Sequence, residues 1–188
     1  MTAVNDQLSK DKNATTCIDN LIIHPGARLE GEPGQAGVPS LPGDKSLSHR
    51  AALLGAMANG SSTIRNFLVS GVTEAMLAAL TGLSVPWVLD GSTLRVEGIG
   101  LGNRAEKGSV SINCGNSATT LRLLAGALAA WGQPAVLDGS DGLRRRPMKR
   151  IIEPLREIGV HIDGTGGCAP LVLGGNYDAL HAVRHILP

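Results

Sequence analysis

The sequence predicts a mixed α/β (α+β) fold built from repeated βαβαββ units. Three observations lead there. An apolar helix pattern from Arg50 to Gly60 returns, at the same spacing, from Arg122 to Gly132. Each copy is followed by a β-prone run, a second helix pattern and two more β-prone runs. Aromatic residues make up only 2% of the chain while glycine contributes 25 residues. A core of that composition must be assembled from Ala, Leu, Ile and Val, with glycines letting backbones approach closely.

Residues 1–20 read as a polar leader, and Leu21-Ile22-Ile23 as a short strand. A Gly/Pro-rich connection from Pro25 to Pro42 follows, as expected of a junction or a wandering loop. The first unit then has a leading strand near Leu41, the helix closed by Gly60, a strand at Ser62–Asn66 and a helix from Glu74 to about Leu83. Strands at Pro86–Leu89 and Thr93–Val96 complete it. The second unit has a strand at Val110–Cys114, the helix closed by Gly132, a strand at Ala135–Leu137, a helix at Met148–Ile158, and strands at Val160–Ile162 and Pro170–Leu173. Gly60 and Gly132 suit the residue just beyond a helix end. Asp90-Gly91 and Asp163-Gly164 suit tight hairpins. The first helix of each unit is apolar nearly all round and is expected to be buried. A third unit begins after Gly175 and stops at Pro188, so residues 44–188 hold two units and the start of a third. Stacked units that share a core generally need three or more, which reads as an incomplete domain.

Composition narrows the function. Of the 188 residues, 43% are hydrophobic and 18% charged, a packed rather than disordered chain. A net charge of +1 lacks the broad basic field of a general nucleic-acid or membrane-surface binder. Cys17, Cys114 and Cys168 are far apart and show no metal-ligand or disulfide spacing, so no metal site is expected and a reducing cytoplasm fits. The N-terminus lacks the apolar stretch of a signal peptide, and the Ala/Leu-rich runs are too interrupted to span a membrane. A plant source would leave room for a plastid transit remnant.

Positive charge is instead local, at helix starts. Pro42-Gly43-Asp44-Lys45-Ser46-Leu47-Ser48-His49-Arg50 places a lysine, hydroxyls and an arginine where a helix points free N–H groups and its positive dipole end. Ser46 and Arg50 share one helix face. Asp44 or Ser46 serving as an ordinary N-cap is the plainer account. Cys114-Gly115-Asn116-Ser117-Ala118-Thr119-Thr120-Leu121-Arg122 runs from a strand through a glycine turn into a helix whose small first residues let a ligand reach the backbone. Capping by Asn116 or Ser117 is the plainer account here. Arg122, a charge on an apolar helix, needs a partner, either a ligand or a structural ion pair. Leu143-Arg144-Arg145-Arg146-Pro147-Met148-Lys149-Arg150 puts three arginines before a helix expected to open at Pro147. The dipole disfavours cations there, so an anionic ligand is one account of them. A solvated basic run or an RNA-contact patch is another. His49 reads as a packing or helix-surface residue, and Asp138 and Asp141 as turn residues. No pair of carboxylates is placed for acid–base work.

Taken in order, these three motifs resemble those of the 5-enolpyruvylshikimate-3-phosphate synthase family, over about Ala27 to Pro188. Members are more than twice this length, so the chain is similar to their N-terminal part. The resemblance implies a two-domain enolpyruvyl transferase fold with three βαβαββ units per domain, residues 21–43 belonging to the other domain. It implies transfer of the enolpyruvyl group of phosphoenolpyruvate to shikimate 3-phosphate with release of phosphate, and no cofactor. Carried over residue by residue, Lys45 would touch both substrates and stabilise charge or move a proton. Ser46 and Arg50 would hold shikimate 3-phosphate, and Asn116, Ala118 and Arg146 would line the phosphoenolpyruvate site. Thr119 and Arg122 would support them. Ala118 stands where many members carry glycine. With the Leu47-Ser48-His49-Arg50 and Arg146-Pro147-Met148 forms, it is similar to the glyphosate-tolerant class II type, which implies weak inhibition by glyphosate. The family's next motif, a Ser/Ala-Gln segment, is expected after Pro188. The chain alone is therefore expected to be inactive and to need a C-terminal companion. Two other readings stand beside this one. A UDP-N-acetylglucosamine enolpyruvyl transferase should show a Lys-Asn start and a cysteine loop, neither seen here. A non-catalytic anion- or RNA-binding module would use Arg144 to Arg150.

Overall fold

A computed structural model of the chain describes residues 42–100, 108–175 and 180–185. The polar leader, the strand at Leu21–Ile23, the Gly/Pro-rich connection before Pro42 and the leading strand near Leu41 lie outside the described residues. The elements run in the order α1 (Lys45–Met57), β1 (Asn59–Ile64), α2 (Gly71–Gly82), β2 (Trp87–Asp90) and β3 (Thr93–Ile99). They continue with β4 (Val110–Asn113), α3 (Ala118–Trp131), β5 (Ala135–Asp138), α4 (Asp141–Arg144), α5 (Lys149–Glu157), β6 (Ile162–Thr165) and β7 (Cys168–Leu173).

The repeat is present in the sheets. One has the order β1-β3-β2 and the other β4-β5-β7-β6. In each, the strand after the first helix pairs antiparallel with the last strand of its unit, which turns back on the strand before it. β4 adds parallel to β5, with Ile112 opposite Leu137. The mixed α/β class is thus observed, and α4 is an addition to the second unit that its sequence pattern did not announce.

Four local expectations need correction. Gly60 does not close α1. The helix ends at Met57, Ala58 is already extended, and Gly60 lies in β1 at φ 87° opposite Gly98. Gly98 lets β3 pass so close to the end of α1 that an added Cβ would overlap the carbonyl oxygens of Gly55 and Ala58, so pairing begins as soon as the helix stops. Gly132, by contrast, does cap α3 in the left-handed conformation, φ 65°. The second hairpin does not turn at Asp163-Gly164. Both lie in β6, and the turn is Gly166-Gly167, with φ 62° and 78°. A two-residue turn with both central residues at positive φ suits Gly-Gly best. Third, α5 does not open at Pro147; Met148 precedes its first residue and is held by its N–H donating to Gly167 O at 2.8 Å. Finally, α1 is not buried all round. Ala52, Leu53 and Ala56 are in the core, but Leu47 and Leu54 are 69% and 63% exposed.

The core runs through both units. Met76, Leu80 and Leu94 of the first are fully buried, as are Leu121, Leu124, Leu128, Leu137 and Leu171 of the second. Trp131 packs into it and donates its indole N–H to Gly100 O at 3.0 Å. No described helix is long and apolar enough to cross a membrane.

Candidate anion-binding site

At the start of α1, Asp44 is the N-cap: its Oδ1 accepts from the Leu47 N–H at 2.7 Å. That settles which residue caps the helix, and it changes the electrostatics. A carboxylate already occupies one of the free N–H groups, so positive potential at this entrance comes mainly from side chains. Lys45 is exposed and Ser46 half-buried. Arg50 donates from Nη1 to Ser46 O at 3.1 Å, which folds its guanidinium back toward the entrance.

The start of α3 is built differently. Gly115 takes φ 57° and donates its N–H to Asn113 Oδ1 at 2.8 Å. Ser117 is the N-cap, accepting from Thr120 N at 3.2 Å. Asn116 is therefore not the cap and stands exposed before the helix. Ala118, the first helical residue, is only 5% exposed, and Thr119 is half-buried.

A fully buried histidine joins the two entrances. His49 Nδ1 lies 2.7 Å from Lys45 O, and Nε2 lies 3.0 Å from Val72 O and 3.5 Å from Ser117 Oγ. A carbonyl can only accept, so a ring N–H donates to Lys45 O or to Val72 O according to the tautomer. The Ser117 hydroxyl, accepting from Thr120 N and from the Thr120 hydroxyl at 2.8 Å, lies within reach of Nε2 at 3.5 Å. Lys45 and Ser117 are thereby fixed relative to each other through one side chain.

The arginine run is brought to the same end. Arg144 closes α4 and makes a bidentate pair with Asp138 at the end of β5, Nε–Oδ1 2.9 Å and Nη2–Oδ2 2.6 Å. The hydrogen bonds from Arg144 hold the Asp138 carboxyl below the ordinary carboxylate range. Asp138 is thus an ion-pair partner as well as a chain-turning residue, and Arg144 is committed to it. Arg145 caps the C-terminal end of α4, where the dipole favours a cation. Arg146 is exposed, and its guanidinium makes no bond with any described residue; its backbone N–H donates to Leu143 O at 2.9 Å. Arg122 reaches the following residue, donating from Nη2 to Pro147 O at 3.0 Å, while its Nε is buried without a partner. Ser140 ties the run to the α3 entrance: its N–H donates to Gly115 O at 2.8 Å and its hydroxyl to Asn116 Oδ1 at 3.2 Å.

Contacts thus link Lys45 to Ser117 through His49, Asn116 to Ser140, and Arg122 to Pro147 next to Arg146; Ala118 and Thr119 lie in the first turn of α3, and Ser46 and Arg50 in α1. Among the described residues, the side chains of Lys45 and Arg146 make no hydrogen bond or ion pair. Arg122 also lines a cavity of about 270 Å³ with Arg150, Ile151 and Leu155, whereas a cavity of about 410 Å³ between Arg156, His161, Asp163 and Val172 contains none of these residues. Beneath the site, burial first and the Asp138 charge second push the Cys114 thiol up to about 12, which keeps it protonated and inert. Sequence reasoning missed His49 as the joint, the Asp138–Arg144 pair, and Ser140. Only Ser140 carried a signal, as a serine before an acidic first turn. Among the described residues no cluster of His, Cys, Asp and Glu could hold a metal ion.

The family model described as EPSP synthase (3-phosphoshikimate 1-carboxyvinyltransferase) matches residues 28–184. Curated relatives with the name 3-phosphoshikimate 1-carboxyvinyltransferase include one from Roseiflexus sp. (strain RS-1), 47% identical over 155 residues, covering 81% of this chain and 35% of that protein. Another, from Pelobacter propionicus, is 42% identical over 173 residues, covering 91% of this chain and 38% of its own length. Among solved structures, an EPSP synthase from Acinetobacter baumannii superposes with a TM-score of 0.71 at 33% identity, over 77% of this chain and 33% of that one. The chain thus spans about a third of the length of the relatives it matches.

Proposed function

The chain belongs to the EPSP synthase family, and on that premise we propose that it is the N-terminal, substrate-binding portion of a 3-phosphoshikimate 1-carboxyvinyltransferase. In this reading it takes part in joining phosphoenolpyruvate to shikimate 3-phosphate with release of phosphate. The observation that carries it is the convergence of the two helix entrances through His49, with the side chains of Lys45 and Arg146 making no hydrogen bond or ion pair among the described residues. Two anionic substrates brought together need preorganised positive charge between them. Lys45 serves both substrates, Ser46 and Arg50 hold shikimate 3-phosphate, and Asn116, Ala118 and Arg146 line the phosphoenolpyruvate site. Thr119 and Arg122 hold that wall in place, and the reaction proceeds in a reducing cytoplasm.

Glyphosate is a weak inhibitor in this proposal, because alanine rather than glycine opens α3. At the first turn of α3, the methyl of Ala118 takes up space that a longer ligand would need. Turnover needs a companion chain that supplies the opposite wall of the cleft.

Isothermal calorimetry with shikimate 3-phosphate tests the reading. Saturable binding that weakens when Lys45 is replaced by Met is expected. Salt-sensitive RNA binding with no response to either substrate would instead favour the basic run as a nucleic-acid patch.

A further inference from the structure

We infer that Ser140 is a positioning residue: its hydroxyl sets which way the Asn116 carboxamide faces, so that the NH₂ group, not the oxygen, is presented to the anionic ligand. The inference rests on the proposed reading for the ligand, phosphoenolpyruvate, but not for the geometry.

Ser140 is the N-cap of α4, so its Oγ accepts from the Leu143 N–H at 3.3 Å. Its proton is donated to Asn116 Oδ1, 3.2 Å away. Only an oxygen can accept it. The amide nitrogen, which has no lone pair to offer, is turned to the other side. Asn116 is exposed on that side, before the α3 entrance. An NH₂ donor there attracts an anion, whereas a carbonyl oxygen there would repel one. The surroundings leave the pair little slack. The Ser140 N–H is held by Gly115 O at 2.8 Å. A Cβ on Gly142 would come within 2.9 Å of Asn116 Oδ1, and one on Gly139 would overlap Gly115 O. The short helix α4 therefore serves two groups at once: it starts on the residue that orients Asn116 and leads, through Arg144 on Asp138, to Arg146.

The test uses the 188-residue chain labelled with ¹⁵N. Relaxation of the Asn116 side-chain amide should report a rigid carboxamide in the wild type, a mobile one in Ser140→Ala, and a rigid one again in Ser140→Thr, which restores both cap and donor. If Ser140→Ala does not fold, Ser140→Asp replaces it. The aspartate caps α4 but has no proton to give, so the native Asn116 amide signals should move. An Asn116 amide unchanged in Ser140→Ala or Ser140→Asp overturns the inference. For the ligand, phosphoenolpyruvate affinity in the chain combined with a C-terminal remainder of the family should fall about tenfold in Ser140→Ala. It should fall no further when Ser140→Ala is added to Asn116→Ala, because the serine acts through the asparagine. Additive losses would also overturn it. No phosphoenolpyruvate binding by the wild type would strike the proposed function and leave the amide measurement to decide the positioning.

Discussion

At the scale of single residues, the Asp138–Arg144 pair gives the chain a specific acid sensitivity. The folded state holds the Asp138 carboxyl below its ordinary range. A depressed carboxyl contributes stability that is present above its unfolded value, about 4, and is lost as pH falls through the folded value. Asp138→Asn lacks this term. The gap in thermal midpoint between wild type and Asp138→Asn should therefore be widest near neutrality and close as the pH is lowered toward 3. A gap that stays constant would show the pair to be without effect on stability. Arg144 is half exposed, so salt should narrow the gap as well. Ala118 bears on a different question. On the proposed reading, Ala118→Gly removes a methyl from the wall of the phosphoenolpyruvate site. Glyphosate inhibition of the assembled enzyme should then strengthen at least tenfold, with a smaller change in the KM for phosphoenolpyruvate. An unchanged inhibition constant would sink the account of tolerance.

Among the elements, the crossing of α1 and β3 is the most exacting. Gly98 passes against the last carbonyls of α1 with no room for a side chain, and those carbonyls belong to backbone that cannot step aside. Gly98→Ala should lower stability by about 1–3 kcal/mol or more, as overpacking does. Gly82, at the end of α2, faces open space, and Gly82→Ala should lie within about 1 kcal/mol of wild type, on the stabilising side. Denaturant titration of the two variants compares them directly; equal losses would mean that the crossing yields. The elements also mark where the sequence could be read. Apolar periodicity showed α3 and the order of strands, because those features depend on residues close together in the chain. It failed at Gly60 and at Asp163-Gly164. There, the helix end is set by Gly98 across the sheet, and the hairpin tip by the pairing of Asp163 and Gly164 with Val172 and Leu171, which leaves the turn to Gly166-Gly167. The site divides in the same way. Lys45, Asn116 and Arg146 stood out as polar residues at helix starts, whereas His49 looked like any packing residue until its contacts to Lys45, Val72 and Ser117 were seen.

For the molecule as a whole, the chain's span of about a third of its relatives' length bears on how activity arises. We expect the isolated chain to bind shikimate 3-phosphate weakly and to turn nothing over. Mixing it with a chain carrying the C-terminal remainder of the family should restore phosphate release, and the rate should saturate with the concentration of the second chain. Steady product formation by the purified chain alone would refute this. Leu47 and Leu54, exposed along one face of α1, are the residues whose accessibility should fall on mixing. The buried imidazole of His49 has a consequence of another kind. Because one side chain spans both helix entrances, it acts as a ruler whose two ends belong to different repeats. The repeats are then not free to drift apart in evolution: a change at position 49 demands an answering change at position 117, and comparison across many relatives should find the two varying as a pair.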